Sequence, residues 1–170
     1  MTVTQKMFAV IALSLVSAAS FAQGKVVVLD PTGAVMATAA AKAKFEKLQK
    51  SADFAAAKAK LDGLAADIKA LQTEYQKDGM TWSAEKRAES EKKLQSLGQD
   101  YQFQGKKLQG EQQALMQQIM QELGPKMETV VKQLVESENI SMIVDAKSVM
   151  MAKPENDLTP KVTELLNKAK

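Results

Sequence analysis

The chain has 170 residues, enough for one domain of ordinary size, and it contains neither Cys nor His. Metal sites built on thiolate or imidazole are therefore excluded, as is catalysis by Cys–His or Ser–His–Asp groups. The formal net charge of +3 is too small an excess to indicate nucleic-acid binding. An aromatic content of only 5%, with abundant Ala, Gln, Lys, Glu and Leu, is typical of long helices.

Residues 1–22 have the pattern of an export signal. Lys6 gives a positively charged start, residues 7–16 form an apolar core, and Ser20 and Ala22 are the small residues of a cleavage site. The apolar core is much shorter than the roughly 20 residues that span a bilayer, which disfavours the alternative of an uncleaved membrane anchor. We therefore predict an exported protein, cleaved after Ala22.

The mature chain opens with a β-branched run at residues 25–30, which predicts a strand. A helix is then predicted from Gly33 or its neighbour, running without interruption into a long first limb. The apolar spacing of this limb fails near Lys47 and Lys50, which indicates a local register shift or a broader packed face.

Residues 45–126 predict a long antiparallel helical hairpin, the arm, with its tip near residues 78–83. In the first limb apolar residues recur with gaps alternating between three and four, the spacing of a coiled-coil seam. They are Phe54, Ala57, Leu61, Leu64, Ile68, Leu71 and Tyr75. The corresponding apolar residues of the second limb are Leu94, Leu97, Tyr101, Leu108, Leu115, Ile119, Leu123, Met127, Val130 and Leu134. At 1.5 Å per residue the arm is about 50 Å long.

Helix-end signals mark the tip and the second limb. Gly79 is predicted to cap the first limb and Ser83 to cap the second, with Glu85 placed favourably against the helix dipole. Further along, Gly124-Pro125 is predicted to kink or break the second limb, because proline lacks the backbone donor of an internal helix bond.

After the second limb the pattern changes to strands. Residues 140–145 and 149–152 predict two strands paired as a hairpin, and Thr159 followed by Pro160 predicts the capped start of a last helix. Residues 23–44 and 127–170 then form a small body, from which the arm projects. The predicted fold class is α+β and mostly α.

So small a body would be marginal by itself, which predicts that the chain self-associates. The candidates for this contact are the apolar residues of the first two predicted strands. They are Val26, Val27, Val28, Leu29, Ile143 and Val144.

The order of these features resembles the Skp/OmpH family of periplasmic chaperones over essentially the whole chain. The resemblance rests on the export signal, the run at residues 25–30, the long hairpin, Gly-Pro-Lys-Met at 124–127, Ile-Ser-Met-Ile-Val-Asp at 140–145 and Asp-Leu-Thr-Pro at 157–160. It implies a jellyfish-shaped periplasmic homotrimer, with a β-barrel body built from three chains and three arms around a cavity. The implied function is to hold unfolded outer-membrane β-barrel proteins in that cavity without ATP and to release them toward the outer-membrane assembly machinery.

Apolar residues outside the seam are the candidate contacts for such clients. Met80 and Trp82 are expected in an exposed turn, while Phe103, Met116 and Met120 lie beside seam positions. Methionine adapts its shape to many partners, which suits weak binding of varied chains. The alternative is ordinary packing within the arm.

A second candidate surface is basic and lies in the body-proximal part of the first limb. Its lysines are candidates for contact with acidic clients or with an anionic lipid surface. The alternative is a solvated helix face. The residues are Lys42, Lys44, Lys47, Lys50, Lys58 and Lys60.

The leading hypothesis is therefore a holdase chaperone without cofactor, metal or nucleic-acid partner. The alternative is a structural coiled-coil adaptor that binds one folded cell-envelope partner. An enzyme is not predicted, because the acidic residues alternate with lysines at the spacing of surface ion pairs and the sequence has no glycine-rich phosphate loop.

Overall fold

The computed structural model describes residues 24–169, so the predicted export signal lies outside the described residues. In chain order the elements are β1 (Lys25–Leu29), α1 (Pro31–Met36), α2 (Ala39–Gln49), α3 (Ala52–Asp78), α4 (Ala84–Ser137), β2 (Ile140–Asp145) and α5 (Thr159–Lys168), with short 3-10 turns at Gly79–Thr81, Ala146–Ser148 and Pro154–Asn156. Helices α3 and α4 pack as the predicted hairpin, and the remaining elements form an α+β body at its base. The mostly α fold class is confirmed.

Strands β1 and β2 form a parallel two-stranded sheet, with Val28 opposite Val144. Parallel neighbours need a long crossover, and the whole hairpin supplies it. The predicted third strand is wrong, because the 3-10 turn at Ala146–Ser148 replaces a tight hairpin turn and residues 149–152 pair with neither strand. The chain passes instead to the other edge of β1, where the Leu158 amide donates to the Val28 carbonyl at 2.9 Å.

The body core lies between the sheet, α1, α5 and the body-proximal half of α4. Each fully buried Val, Leu or Ile contributes about 1.5–3 kcal/mol of burial free energy. Ile119 and Leu123 belong to this core, so it reaches into the first turns of the arm. Its members are Val27, Leu29, Ala34, Val35, Ala41, Ile119, Leu123, Val130, Leu134, Ile140, Leu158, Val162 and Leu166.

The stretch predicted as one helix from Gly33 into the first limb is divided into three helices, α1, α2 and α3. The prediction of one uninterrupted helix is therefore wrong. α2 begins after Thr38, whose hydroxyl accepts from the Ala41 amide at 3.2 Å. α3 begins after Ser51, whose hydroxyl accepts from the Phe54 amide at 3.4 Å and donates to the Leu48 carbonyl at 2.7 Å. Side-chain oxygens that satisfy free amides start a new helix at each place. The second break falls where the apolar spacing fails.

The second limb, by contrast, is the single helix α4 of 54 residues, with Pro125 inside it. The predicted break at Gly124-Pro125 is wrong. Proline removes one internal hydrogen bond, but Leu123 and Val130 on either side are buried in the body core. Packing of an apolar face contributes more to helix stability than a single backbone bond.

At the tip, Ser83 caps α4 as predicted, and its hydroxyl accepts from the Lys86 amide at 3.2 Å. The Glu85 backbone amide and the Ser83 hydroxyl lower the pKa of Glu85. Gly79 is the C-cap of α3, as predicted; its φ of −59° is right-handed, and its backbone amide donates to the Tyr75 carbonyl. Its lack of a side chain matters because a Cβ there would lie 3.3 Å from the Tyr75 ring.

The last helix begins at Thr159, one residue before the predicted start at Pro160, and Pro160 lies in its first turn. The prediction that Thr159 caps the helix is wrong. The Asp157 carboxylate accepts from the Thr159 amide at 2.9 Å, whereas the Thr159 hydroxyl accepts from the Asp30 amide at 3.0 Å. This bond ties the start of α5 to the end of β1.

Candidate functional site

The arm buries its own seam only in part. A second apolar cluster contains the buried Phe54, Ala57 and Leu108, separate from the body core. Closer to the tip, seam residues such as Leu64 and Leu97 are only partly buried. Two packed helices leave their outer faces exposed to solvent, so apolar and polar side chains outside the seam are accessible along the arm.

Sequence reasoning placed Tyr101 in the seam, but its side chain is exposed. Two polar residues of α4, Ser90 and Gln104, are buried there instead. Ser90 and Gln104 continue the spacing of three and four that links Leu94, Leu97 and Leu108. Extending this spacing through polar positions of the sequence would therefore have identified both residues. A seam with polar members holds the two helices together less firmly.

The expectation that Trp82 is exposed in the turn is wrong, since only 8% of it is accessible. Its ring forms a T-shaped contact with the Tyr75 ring at a centroid distance of 5.5 Å, and the Lys86 ammonium lies 4.2 Å from the Trp82 ring centroid. Lys86 also pairs with Glu74 at 3.6 Å. We call Tyr75, Trp82 and Lys86 the tip cluster. Met80 is 97% exposed beside it.

The other candidate client contacts differ in position. Phe103 is 66% exposed on α4, and Met116 is exposed one turn before the body core. Met120 is partly buried against that core, so its side chain supports the body more than it faces solvent. Met80, Phe103 and Met116 are therefore the accessible members of the predicted set.

Half of the candidate lysines are paired. Lys44 binds Glu122 across the arm, Lys50 pairs with Glu46 at 3.4 Å, and Lys58 pairs with Asp62 at 2.8 Å. Their partners offset the local positive charge. Lys42, Lys47 and Lys60 form no ion pair with any carboxylate of residues 24–169, which leaves these three as the basic part of the surface.

On the sheet, Val27 and Leu29 belong to the core of their own chain and offer no surface to a second copy. Val28 is also buried, while Ile143 and Val144 are partly buried. Among the described residues of the body, the large apolar side chains that are exposed are Val26, Met142, Met150 and Met151. The three methionines were not among the candidates, although the apolar run after the 3-10 turn at Ala146–Ser148 contains Met150 and Met151.

Glu138 links three elements of the body. It lies between α4 and β2, and its carboxylate pairs with Lys161 of α5 and, at 3.6 Å, with Lys25 at the start of β1. The hydrogen bond from Lys161, strengthened by the charges of both lysines, lowers the pKa of Glu138 from its usual 4.5. The folded state therefore favours the carboxylate form.

A pH-dependent contribution to stability follows. Because the folded pKa of Glu138 is depressed, its contribution is present above the ordinary pKa and is lost as the pH falls through the folded value. We expect Glu138→Gln to lower the melting temperature by about 1–4 °C at neutral pH, and the difference to vanish in acid. Glu136→Gln, an exposed change of equal charge, is the control in the same thermal melts. Equal melting temperatures for both variants at neutral pH would show that the Glu138 carboxylate does not stabilise the fold.

The side chains that the arm exposes carry charged, amide, hydroxyl and apolar groups. Among residues 24–169, no three acidic side chains cluster closely enough to hold a metal ion. No helix in the same part of the chain is long and apolar enough to cross a membrane. An open groove of about 510 Å³ lies between α3 and α4 beside Phe54 and Leu108. The arrangement suits binding of flexible partners.

Comparison with known proteins identifies relatives. The profile of a family described as Outer membrane protein (OmpH-like) matches residues 25–166. A Skp-like protein of Pseudomonas aeruginosa PAO1 is 29% identical over 161 residues, covering 94% of this chain and 95% of that protein. A crystal structure from Caulobacter crescentus CB15, described as an outer membrane chaperone (OmpH-like), covers 86% of both chains at 21% identity with a TM-score of 0.48. Because the family profile spans most of the sequence, the chain belongs to the OmpH-like family.

Proposed function

We propose that this protein is an ATP-independent periplasmic holdase chaperone. It binds unfolded outer-membrane β-barrel proteins, prevents their aggregation and releases them for membrane insertion. The observation that carries the proposal is an arm whose apolar side chains are only partly used by its own packing. Membership of the OmpH-like family supports it.

Client contact is assigned to the accessible apolar side chains of the arm. Phe103 and Met116 project from α4, and Met80 projects from the tip. Each contact is small, and a flexible thioether accommodates side chains of many shapes. Many weak contacts hold an unfolded chain without selecting one sequence. Lys42, Lys47 and Lys60 add attraction for acidic segments or for anionic lipid headgroups.

The cavity requires several copies. Residues 23–44 and 127–170 act as the body, and residues 45–126 act as the arm. Within residues 24–169 the sheet has two strands, with β2 at one edge and Val26 and Met142 exposed. A small apolar body with an open strand edge supports self-association, and three copies would place three arms around one space.

Aggregation of an unfolded porin tests this function. A porin in urea is diluted into buffer with purified residues 23–170, and light scattering is followed. We expect scattering to be suppressed at about one trimer per porin, with a sedimentation mass of about three chains. Exchanging Phe103 and Met116 for serine is expected to weaken suppression, while Ala114→Ser, an exposed change on the same helix, serves as the control.

Failure to suppress scattering at several-fold excess would reject the holdase. A stable complex with one folded envelope protein, together with indifference to unfolded porin, would instead identify a coiled-coil adaptor. A monomeric mass at micromolar concentration would remove the cavity from the mechanism.

A further inference from the structure

The middle of α4 is rich in glutamine. Residues 94–121 contain ten glutamines and only four charged residues. At 100° per residue, six of these glutamines fall within a sector of about 80°, centred roughly 140° away from the seam residue Leu108. We call this set the glutamine stripe: Gln95, Gln99, Gln102, Gln109, Gln113 and Gln117.

Every amide of the stripe is free in the folded chain. All six side chains are exposed, and no hydrogen bond within residues 24–169 uses a glutamine side chain. A side-chain amide carries N–H donors and a carbonyl acceptor, the two kinds of group that a peptide unit also presents. The stripe therefore presents a row of peptide-like groups about 33 Å long.

Its surroundings restrict what it binds. Lys106 is the one charged residue within the sector, too little charge to favour nucleic acid or lipid headgroups. Exposed Phe103 borders the stripe on one side, and Met116 borders it on the other near the body. Neutral amides flanked by apolar side chains match a polypeptide better than any ionic partner.

A folded protein satisfies nearly all of its own backbone groups, whereas an unfolded chain leaves a donor and an acceptor free at almost every residue. An extended segment of about ten residues is as long as the stripe. We infer that the glutamine stripe binds the backbone amides of extended, unfolded client segments, while Phe103 and Met116 contact their side chains. This inference rests on the proposed function and assigns to it a sequence-independent mode of recognition.

The test compares two triple variants of the full mature chain. Gln99, Gln109 and Gln113 are replaced by alanine in the stripe variant; Gln112, Gln118 and Gln121, exposed on other faces of the same helix, are replaced by alanine in the control variant. Alanine has the higher helix propensity, so both variants keep their helicity by circular dichroism. Binding is measured with a fluorescently labelled, urea-diluted porin and with reduced, amidomethylated α-lactalbumin.

We expect the stripe variant to bind both probes about tenfold more weakly, which corresponds to three weak hydrogen bonds. The control variant should bind like the unchanged chain. The ratio between the variants should stay the same at about 0.05 and 0.5 M NaCl, because neutral groups are not screened.

Equal affinities of the two variants, while the unchanged chain still binds porin, would overturn this inference and leave the holdase in place. Absence of porin binding by the unchanged chain would reject both. A loss confined to one probe would overturn recognition through the backbone. A changed sedimentation mass of the stripe variant alone would also overturn it, because the stripe would then be a contact between copies.

Discussion

Replacing Ile119 by alanine is expected to lower the free energy of unfolding by about 2–5 kcal/mol. The side chain is 1% exposed in the body core, at the point where α4 passes from arm to body. Alanine leaves a cavity there, since α4 cannot move inward while Leu123 on the next turn is fixed in the same core. The loss is measured by urea unfolding followed by far-ultraviolet circular dichroism.

The matched control is Gln121→Ala, two residues further along α4 and exposed. Its free energy of unfolding should differ from that of the unchanged chain by less than about 0.5 kcal/mol. Both variants are compared at one protomer concentration, because association would add to the measured stability. Coincident unfolding curves for Ile119→Ala and Gln121→Ala would show that the core ends before this turn of the helix.

Replacing Trp82 by alanine is expected to open the tip of the arm without affecting the body. The indole is the centre of the tip cluster, with Tyr75 in a T-shaped contact and Lys86 over its face. Truncating a buried Trp costs about 3 kcal/mol or more, so hydrogen exchange near the tip should accelerate about a hundredfold. Amides of the body core should exchange as before, because that core shares no member with the tip cluster.

Hydrogen exchange with mass spectrometry of peptides from the tip measures this effect. Met80→Ala is the control, since Met80 is 97% exposed two residues away and should leave exchange unchanged. Trp82→Phe keeps a ring against Tyr75 and should recover part of the protection. If the tip amides exchange at the same rate in the Trp82→Ala and Met80→Ala variants, the aromatic contacts do not hold the hairpin closed.

Local patterns predicted the elements well where one physical cause dominates. Regular apolar spacing predicted the hairpin, because burial of a helix face depends on periodicity alone. The cap at Ser83 was predicted correctly because it depends on a local hydrogen bond, which the backbone amide of Lys86 donates to the Ser83 hydroxyl. The same signal was present at Ser51, but the helix-forming residues around it concealed the break between α2 and α3.

Features set by contacts between distant residues were missed. A strand pattern at residues 149–152 does not specify its partner, and the open edge of β1 is taken by Leu158 instead. Turn residues are usually exposed, yet the antiparallel hairpin brings both Tyr75 and Lys86 against the Trp82 ring. Exposed Phe103 and Met116 were found from sequence because they lie off the seam.

The parallel pairing of β1 with β2 also determines the order in which the chain folds. Lys25 and Ile140 are neighbours in the sheet although the whole arm separates them in sequence. Closing so long a loop of disordered chain carries a large entropy cost, whereas the hairpin forms through contacts between residues close to its turn. We expect the hairpin to nucleate at its tip. Packing of α3 against α4 then proceeds from the tip toward the body and brings the two strands together. A chain emerging amino-terminus first would therefore hold β1 unpaired until the carboxyl-terminal residues follow.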